Sequence, residues 1–343
     1  MKEGNKMTLW YTELDSNCMS YDASVKPRKD IEEIVAINYD SKPLSIPSLK
    51  PSSDPRNSTS YMETLTSHIG PEDTVFIQTP SYIKDEIVLL RMIHHRGAKV
   101  IGLVHDIDYY RGFATKVDNQ IELLKCYDGL VVTGTRMRDI LLEHGVNVPM
   151  TVMELWPYLI NYVVPSKVNK GSHVINYAGY LGRSKDLFSN KIDNVDTVEV
   201  YGSKSDEFLD MSSNQVIYKG RKHPDDLPKS MSEGYGLVWY SDPKYYKYTT
   251  INVSHKASLY LVSDLPIIVR RESYLAEIVE RDNLGIVVDK LSDIGSSLLS
   301  SDEYNKVTEH IHELSNRLLT TGEIFMEPFD DLFNKMGLLS ARL

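Results

Sequence analysis

The sequence predicts an α/β protein made of two successive doubly wound, Rossmann-like halves. Three observations carry this. At 343 residues the chain is longer than one hydrophobic core usually serves. Short β-rich runs alternate with amphipathic stretches, the pattern of parallel strands joined by helical crossovers. The alternation stops at a Pro-bearing break, residues 157–171, and then starts again.

In the first half the strand candidates are residues 8–12, 74–78, 99–104, 129–133 and 151–155. Apolar residues at helical spacing mark 83–96 and 119–127, while 135–144 opens on Thr135 and closes against Gly145. The text SKPLSIPSLKPSSDPRNSTS, residues 41–60, is read as a surface excursion, because its prolines and serines disfavour regular helix. The break at 157–171 is read as an interdomain linker. Beyond it, strands are expected at 173–177, 197–201, 215–218, 236–240, 266–269 and 285–288, and helices at 225–232, 253–262, 274–281, 301–319 and 328–336. This gives domains at 1–160 and 161–321. Two such halves on a hinge imply a cleft, and ligands of open α/β sheets bind beyond the carboxyl ends of strands.

Composition narrows the function classes. The chain is 41% hydrophobic and 25% charged, ordinary for a soluble globular protein. Its net charge of -10 argues against a nucleic-acid partner, since a phosphate backbone needs a basic surface. Cys18 and Cys126 stand in no disulfide or zinc spacing, so no metal is expected from them. With no signal-peptide pattern and no 18-residue apolar run, a cytoplasmic protein without an integral membrane segment is expected. GYLG at 179–182 is not the GxGxxG fingerprint and GxxxxGK[ST] is missing, which disfavours nicotinamide dehydrogenases and P-loop ATPases.

The residues just past each strand are therefore the site candidates. They include Thr79 after the second strand, His105 and Asp106 after the third, Gly179 to Arg183, and Arg221. Gly179 and Gly182 let the backbone approach a ligand, and Arg183 at such a turn can clamp phosphate oxygens in a bidentate way; a solvated surface arginine is the alternative. Lys256 lies in the first turn of a helix, against the macrodipole preference for acidic residues there, and a nearby diphosphate would account for it. His105 can bind sugar hydroxyls or be a satisfied structural residue. Asp106 and Asp108 spell Asp-x-Asp, a spacing that suits a divalent metal only if a turn brings both carboxylates to one side. The tyrosines at 240, 245, 246 and 248 stack on a ligand or pack on a core.

Five blocks in register, VFIQTP (75–80), VIGLVHDID (100–108), EGYGLVWYSD (233–242), SHKASLYLVSDLPIIV (254–269) and AEIVERDNLGIVVD (276–289), resemble bacterial sugar transferases of the glucosyltransferase 3-like family and related galactofuranosyltransferases. The resemblance implies a GT-B architecture, with two Rossmann-like domains facing a central cleft and residues 322–343 returning to the N-terminal domain. It also implies a UDP-sugar held by the C-terminal domain, an acceptor on the N-terminal one, no metal or other cofactor, and a homo-oligomer, dimer or tetramer. The family's phosphate-contacting pair falls on Arg183 and Lys256, and its base- or ribose-contacting tyrosine near Tyr218.

The resulting expectation is a UDP-sugar-dependent hexosyltransferase acting on a glycan or O-glycopeptide acceptor in adhesin or surface-polysaccharide glycosylation. Gly179, Arg183, Tyr218, Arg221 and Lys256 would hold the donor. His105 and Asp106 would act at the reacting sugar, and Asp15, Asn17 and Thr79 would touch the acceptor. The rival readings are a non-catalytic UDP- or glycan-binding subunit, a galactofuranosyltransferase, and a metal-dependent GT-A enzyme.

Overall fold

The structure is a computed structural model that describes residues 7–14, 25–46, 58–81, 83, 85–112, 117–164, 172–189, 191–203, 215–231, 233–241, 243–339 and 341–343. Its contacts divide the chain into two units, Met1–Met153 with Phe325–Leu343, and Glu154–Ile324. The units divide after Met153 and Ile324, where the sequence reading set 160 and 321.

The first unit runs β1 (Leu9–Leu14), α1 (Val25–Asn38), β2 (Ser41–Ile46), α2 (Thr59–Leu65), β3 (Thr74–Thr79), α3 (Glu86–His95), β4 (Lys99–Val104), α4 (Asp118–Leu124), β5 (Gly129–Val132), α5 (Thr135–Glu143) and β6 (Met150–Val152). Its strands form one parallel sheet in the order β2-β1-β3-β4-β5-β6. All six residues of β3 are buried, as a central parallel strand covered on both faces requires. The chain goes outward from β1 to β2 and then returns to build in the other direction from β3, so the topological switch lies between β1 and β3. Pairing between these two stops at Tyr11 and Phe76, although β1 continues to Leu14 and β3 to Thr79.

Two elements here depart from expectation. The Pro-rich excursion at 41–60 contains a real strand, β2, and its later part enters α2 behind the cap of Ser58. Pro43 is tolerated because β2 is an edge strand paired only with β1, where a missing N–H can face away from the ladder. Helix α1 went unforeseen because it is unusually charged along its buried side, with Arg28, Asp30 and Glu32 interior beside Ile31, Ile34 and Val35.

The second unit contains β7 (Val174–Ala178), α6 (Asp186–Ser189), β8 (Thr197–Tyr201), β9 (Val216–Gly220), α7 (Leu227–Ser230), β10 (Tyr235–Val238), α8 (Pro243–Thr249), α9 (His255–Val262), β11 (Ile267–Arg270), α10 (Tyr274–Arg281), β12 (Gly285–Val288), α11 (Ile294–Ser297) and α12 (Ser301–Leu314). The parallel order is β12-β11-β10-β7-β8-β9, which puts the switch between β7 and β10. These two strands pair at only two positions, Tyr235 with Ile175 and Gly236 with Asn176, and then part. Tyr260 of α9 fills the gap. Its hydroxyl accepts from the Ala178 N–H (2.8 Å) and donates to the Leu237 carbonyl (3.1 Å), one group from each parting strand. Burial first, and neighbouring tyrosines second, push this phenol far above its ordinary pKa, so it keeps the proton it donates. The ring has room because residue 236 is glycine: a Cβ there would lie 2.1 Å from Tyr260 Cγ.

Part of the expected linker belongs to this second unit. Trp156 donates its main-chain N–H to Ser258 and its indole N–H to the Val253 carbonyl, and Tyr158 stacks on His255 at 4.9 Å. Both aromatic side chains are buried, and residues 155–158 pack as core; residues 165–171 lie outside the described residues. Helix α12 passes into a π-helical segment, Ser315–Leu319, whose last carbonyl accepts from Tyr158 N–H.

The last helix, α13 (Glu323–Lys335), starts five residues before the expected 328 and carries Pro328 in its interior, where one main-chain bond is lost. Aromatic packing within the first unit compensates. Phe329 meets Phe76 of β3 at 4.9 Å and Tyr39 at 5.3 Å, and Tyr39 donates to Asp330.

Two substitutions test the wedge at the second switch. Tyr260→Phe leaves two buried main-chain groups unbonded and should cost about 2 kcal/mol in urea denaturation. Gly236→Ala forces a methyl into the ring and should cost about 3 kcal/mol; combined, the two should fall well short of additive, because both act on one contact.

Candidate functional site

In the second unit, the crevice between β7 and β10 is covered by the start of α9. Ser254 caps that helix, accepting from the Lys256 N–H, so Lys256 sits in the first turn as the sequence indicated. Lys256 and Tyr260 are four residues apart and share a helix face. The hydroxyl that wedges the strands therefore also sets the lysine over their carboxyl ends. Its ammonium lies 4.5 Å from the Tyr177 ring centroid and 4.6 Å from that of Tyr240, with Tyr177 Oη at 3.4 Å.

Gly179, directly after β7, makes this approach possible. It has φ +140°, and a Cβ would lie 2.7 Å from Lys256 Cε and 2.8 Å from Nζ. Gly202, after β8, is still tighter: with φ +152°, its Cβ would lie 1.8 Å from the Gly179 carbonyl oxygen, which is backbone and does not yield. The 3₁₀ turn Leu181–Arg183 follows Gly179, so Arg183 is brought by its main chain to the same strand end as Lys256; its side chain lies outside the described residues. Tyr218, on β9, donates to the Gly202 carbonyl at 2.9 Å and is joined to Gly179 through that glycine. Arg221 is exposed one residue past β9.

The tyrosine cluster divides between the two roles foreseen for it. Tyr240 is buried beneath Lys256 and stacks on Tyr245 with centroids 6.1 Å apart. Tyr246 and Tyr248 line a small hollow with Asn252, Ser254 and Arg270. Arg270, at the end of β11, lies 4.4 Å over the Tyr246 ring and donates to Glu272 at 3.0 Å. Sequence reasoning passed over Arg270, Tyr177 and Tyr260. For Tyr260 a signal existed in its i, i+4 spacing from Lys256.

In the first unit, the residues past β3 and β4 form a buried polar network. His105 Nε2 is 2.8 Å from Gln78 Oε1, and the His105 N–H donates to the Thr79 carbonyl. Gln78 Nε2 donates to the Arg28 carbonyl (3.0 Å), while the Arg28 guanidinium donates to the carbonyls of Gln78 (2.8 Å) and Pro80 (2.7 Å). Gln78 stands among the residues read at the strand ends; Arg28 was not foreseen, since nothing in the linear text places Arg28 of an unrecognised helix against residue 78.

Two of the expected site residues make structural contacts here. Thr79 is fully buried and gives its hydroxyl to Glu86 (2.6 Å), which also receives the Tyr127 hydroxyl and the Ser81 N–H, so it braces the loop. Burial and the Glu86 carboxylate hold the Tyr127 phenol far above its ordinary pKa, which keeps it a donor. Asp106 is ion-paired with Arg111 at 2.9 Å, and Asp108 meets the same nitrogen at 3.4 Å. The two carboxylates thus converge, as the Asp-x-Asp spacing allows, but on a guanidinium; Asp106 orders the 105–112 loop, with Gln120 donating to its carbonyl (2.8 Å), and a role for it at the reacting sugar loses support. Asp15 and Asn17 lie outside the described residues.

Comparison with known proteins places these features. Residues 9–155 match the N-terminal domain of the glucosyltransferase 3-like family and residues 175–329 its C-terminal domain. Glucosyltransferase 3 of Streptococcus gordonii is 24% identical over 274 residues, covering 74% of this chain and 77% of the relative. A β-1,6-galactofuranosyltransferase, WbbI of Escherichia coli K12, is 22% identical over 343 residues, covering 94% and 98%. Among solved structures, Anabaena HepE in complex with UDP and glucose superposes with a TM-score of 0.61 at 10% identity, covering 95% of this chain and 99% of that one, a likeness of fold. Two parallel Rossmann-like units, matched along nearly their whole length by the two family models, identify the chain as a member of the glucosyltransferase 3-like family and as a glycosyltransferase of GT-B fold.

Proposed function

We propose that the protein transfers a hexose from a UDP-sugar to a glycan or O-glycopeptide acceptor, with the UDP moiety bound at the β7–β10 crevice of the second unit. One observation carries the reading. An ammonium is held in the first turn of α9, over a strand end where Gly179 leaves out the Cβ that would collide with it. The positive end of a helix repels a cation, and the free main-chain N–H groups there attract an anion. A diphosphate bound beside Lys256 turns both features to advantage.

The chemistry follows from charge. As the glycosidic bond breaks, negative charge grows on the leaving UDP, and a fixed cation stabilises that state more than the ground state. Lys256 supplies this, Arg183 is proposed as its partner, and Tyr218 and Arg221 border the same strand ends. In the first unit His105 is proposed to bind a hydroxyl of the transferred sugar or the acceptor. The names of the relatives and the UDP and glucose bound to the Anabaena protein support the donor class. The match along 98% of the E. coli relative favours galactofuranose as a second donor to test.

The test is UDP release from a panel of UDP-hexoses, UDP-galactofuranose included, with a glycan and a glycopeptide acceptor. Release with at least one donor is expected, and none from any donor by a protein that binds UDP overturns the transfer reading in favour of a binding subunit. Lys256→Ala should lower kcat/KM by roughly ten- to a hundredfold, the value of a hydrogen bond to a charged group. Its unfolding free energy should change by less than about 0.5 kcal/mol, because the lost contacts with two tyrosines are offset by relief at the helix start. A large loss of stability would instead mark Lys256 as structural.

A further inference from the structure

We infer that Arg270 is a specificity-determining residue for the donor: its guanidinium, at the carboxyl end of β11, binds the C4 hydroxyl of the transferred sugar in the small hollow beside the crevice. The inference rests on the reading that UDP lies at the β7–β10 crevice beside Lys256.

Arg270 is held in a defined place. The register of β10 with β11, Val238 against Val269, sets Trp239 beside it, and the Trp239 ring lies 5.6 Å from the guanidinium carbon. The Tyr246 ring of α8 lies 4.4 Å from the same carbon, and Glu272 accepts from Nε at 3.0 Å. A long side chain so restrained gives up little further freedom when it binds a ligand. A guanidinium has five N–H donors, and Glu272 takes the one on Nε. Among the described residues no acceptor meets the two terminal nitrogens, and the side chain is about one-third exposed, so these donors are open to a ligand.

Size and charge narrow what that ligand group is. The hollow that Arg270 lines measures about 20 Å³. A water needs roughly 10–15 Å³ of such space, so the hollow takes one group of that size, which a hydroxyl is. The Glu272 carboxylate offsets the guanidinium charge, so the site favours a neutral hydroxyl over a second phosphate. Tyr246, Tyr248, Val238 and Leu275 form apolar walls suited to the C–H groups that flank a sugar hydroxyl.

Position then selects the hydroxyl. Tyr240 lines the hollow and has the Lys256 ammonium 4.6 Å from its ring centroid. Ser254, which also lines the hollow, caps the helix whose first turn carries Lys256. The hollow and the cation are thus next to each other across one ring. A pyranose joined through C1 to a phosphate beside Lys256 has its C4 hydroxyl across the ring, the ring hydroxyl farthest from that phosphate. The configuration at C4 separates glucose from galactose, so a residue that binds this hydroxyl chooses between such donors.

The test is a cycle on one hydroxyl. For the UDP-hexose that the wild type uses best, the 4-deoxy analogue should lose about ten- to a hundredfold in kcat/KM, the value of a hydrogen bond to a charged donor. In Arg270→Met, which keeps an unbranched side chain between the rings without its donors, the two sugars should differ by less than about threefold, while the penalty for a 3-deoxy analogue stays at its wild-type value. A wild type that accepts the 4-deoxy sugar, or a variant that still rejects it as the wild type does, overturns the inference. UDP alone should bind Arg270→Met within about twofold of the wild type in calorimetry; a large loss makes Arg270 part of the UDP site or of the fold and overturns the inference as well. If UDP does not bind the wild type, the crevice reading itself falls and the inference with it. If UDP binds but no donor turns over, the same cycle is read from the affinities of the UDP-sugars, with the same outcomes deciding.

Discussion

The hydroxyl of Tyr260 is the contact on which the second unit's chemistry depends. A crevice between two strands exists only where their ladder has been broken, and each broken rung leaves an N–H or a C=O that costs about 1–3 kcal/mol if buried without a partner. Tyr260 bonds one of each, from Ala178 and from Leu237, with a single oxygen. That oxygen belongs to α9, so satisfying the opened strands also fixes the helix above them. Lys256, one turn earlier on the same face, has its place from the same contact. Gly236 is the condition for all of it, since any side chain there would occupy the space of the ring.

The first unit meets the same requirement with different groups. At its switch, β1 and β3 also part early, after Tyr11 and Phe76. Here a chain of polar side chains spans the opening. Arg28 enters from α1, bonds the carbonyls of Gln78 and Pro80, and Gln78 passes the connection to His105 on the next strand. A network of this kind holds only if each member is satisfied, and so it restricts orientation more than a single hydroxyl does. The wedge of the second unit places a charge; the network of the first holds an imidazole ring.

Much of the architecture was legible in the sequence because parallel strands buried on both faces read as continuous apolar runs. The span 99–104, for example, is the strand β4 in full. What escaped was set by tertiary contact. Strand β2 has prolines and serines and is held by its pairing with β1, and α1 buries Asp30 and Glu32 against Lys26, Lys29 and the Leu14 main chain, a pattern that periodicity reads as solvated. At the site, Gly179 and Lys256 were legible as residues out of keeping with their local context, one by conformation and one by charge. Thr79 and Asp106 were chosen for standing past a strand, and position alone does not show that Glu86 and Arg111 already occupy them. Arg28, and the contact of Gln78 with His105, required the fold to be known.

Lys256 also shows how a local conflict can be kept without loss of stability. A lysine in a first helical turn works against the helix dipole by about 0.3–1 kcal/mol, yet this one has two tyrosine faces within 4.6 Å of its ammonium. A cation over an aromatic face gains about 0.5–1 kcal/mol or more as it loses water, enough to balance the dipole. Both rings come from segments next to the crevice, Tyr177 from β7 and Tyr240 from just beyond β10. The same two strands that part to open the crevice therefore also carry the faces that keep its cation in position.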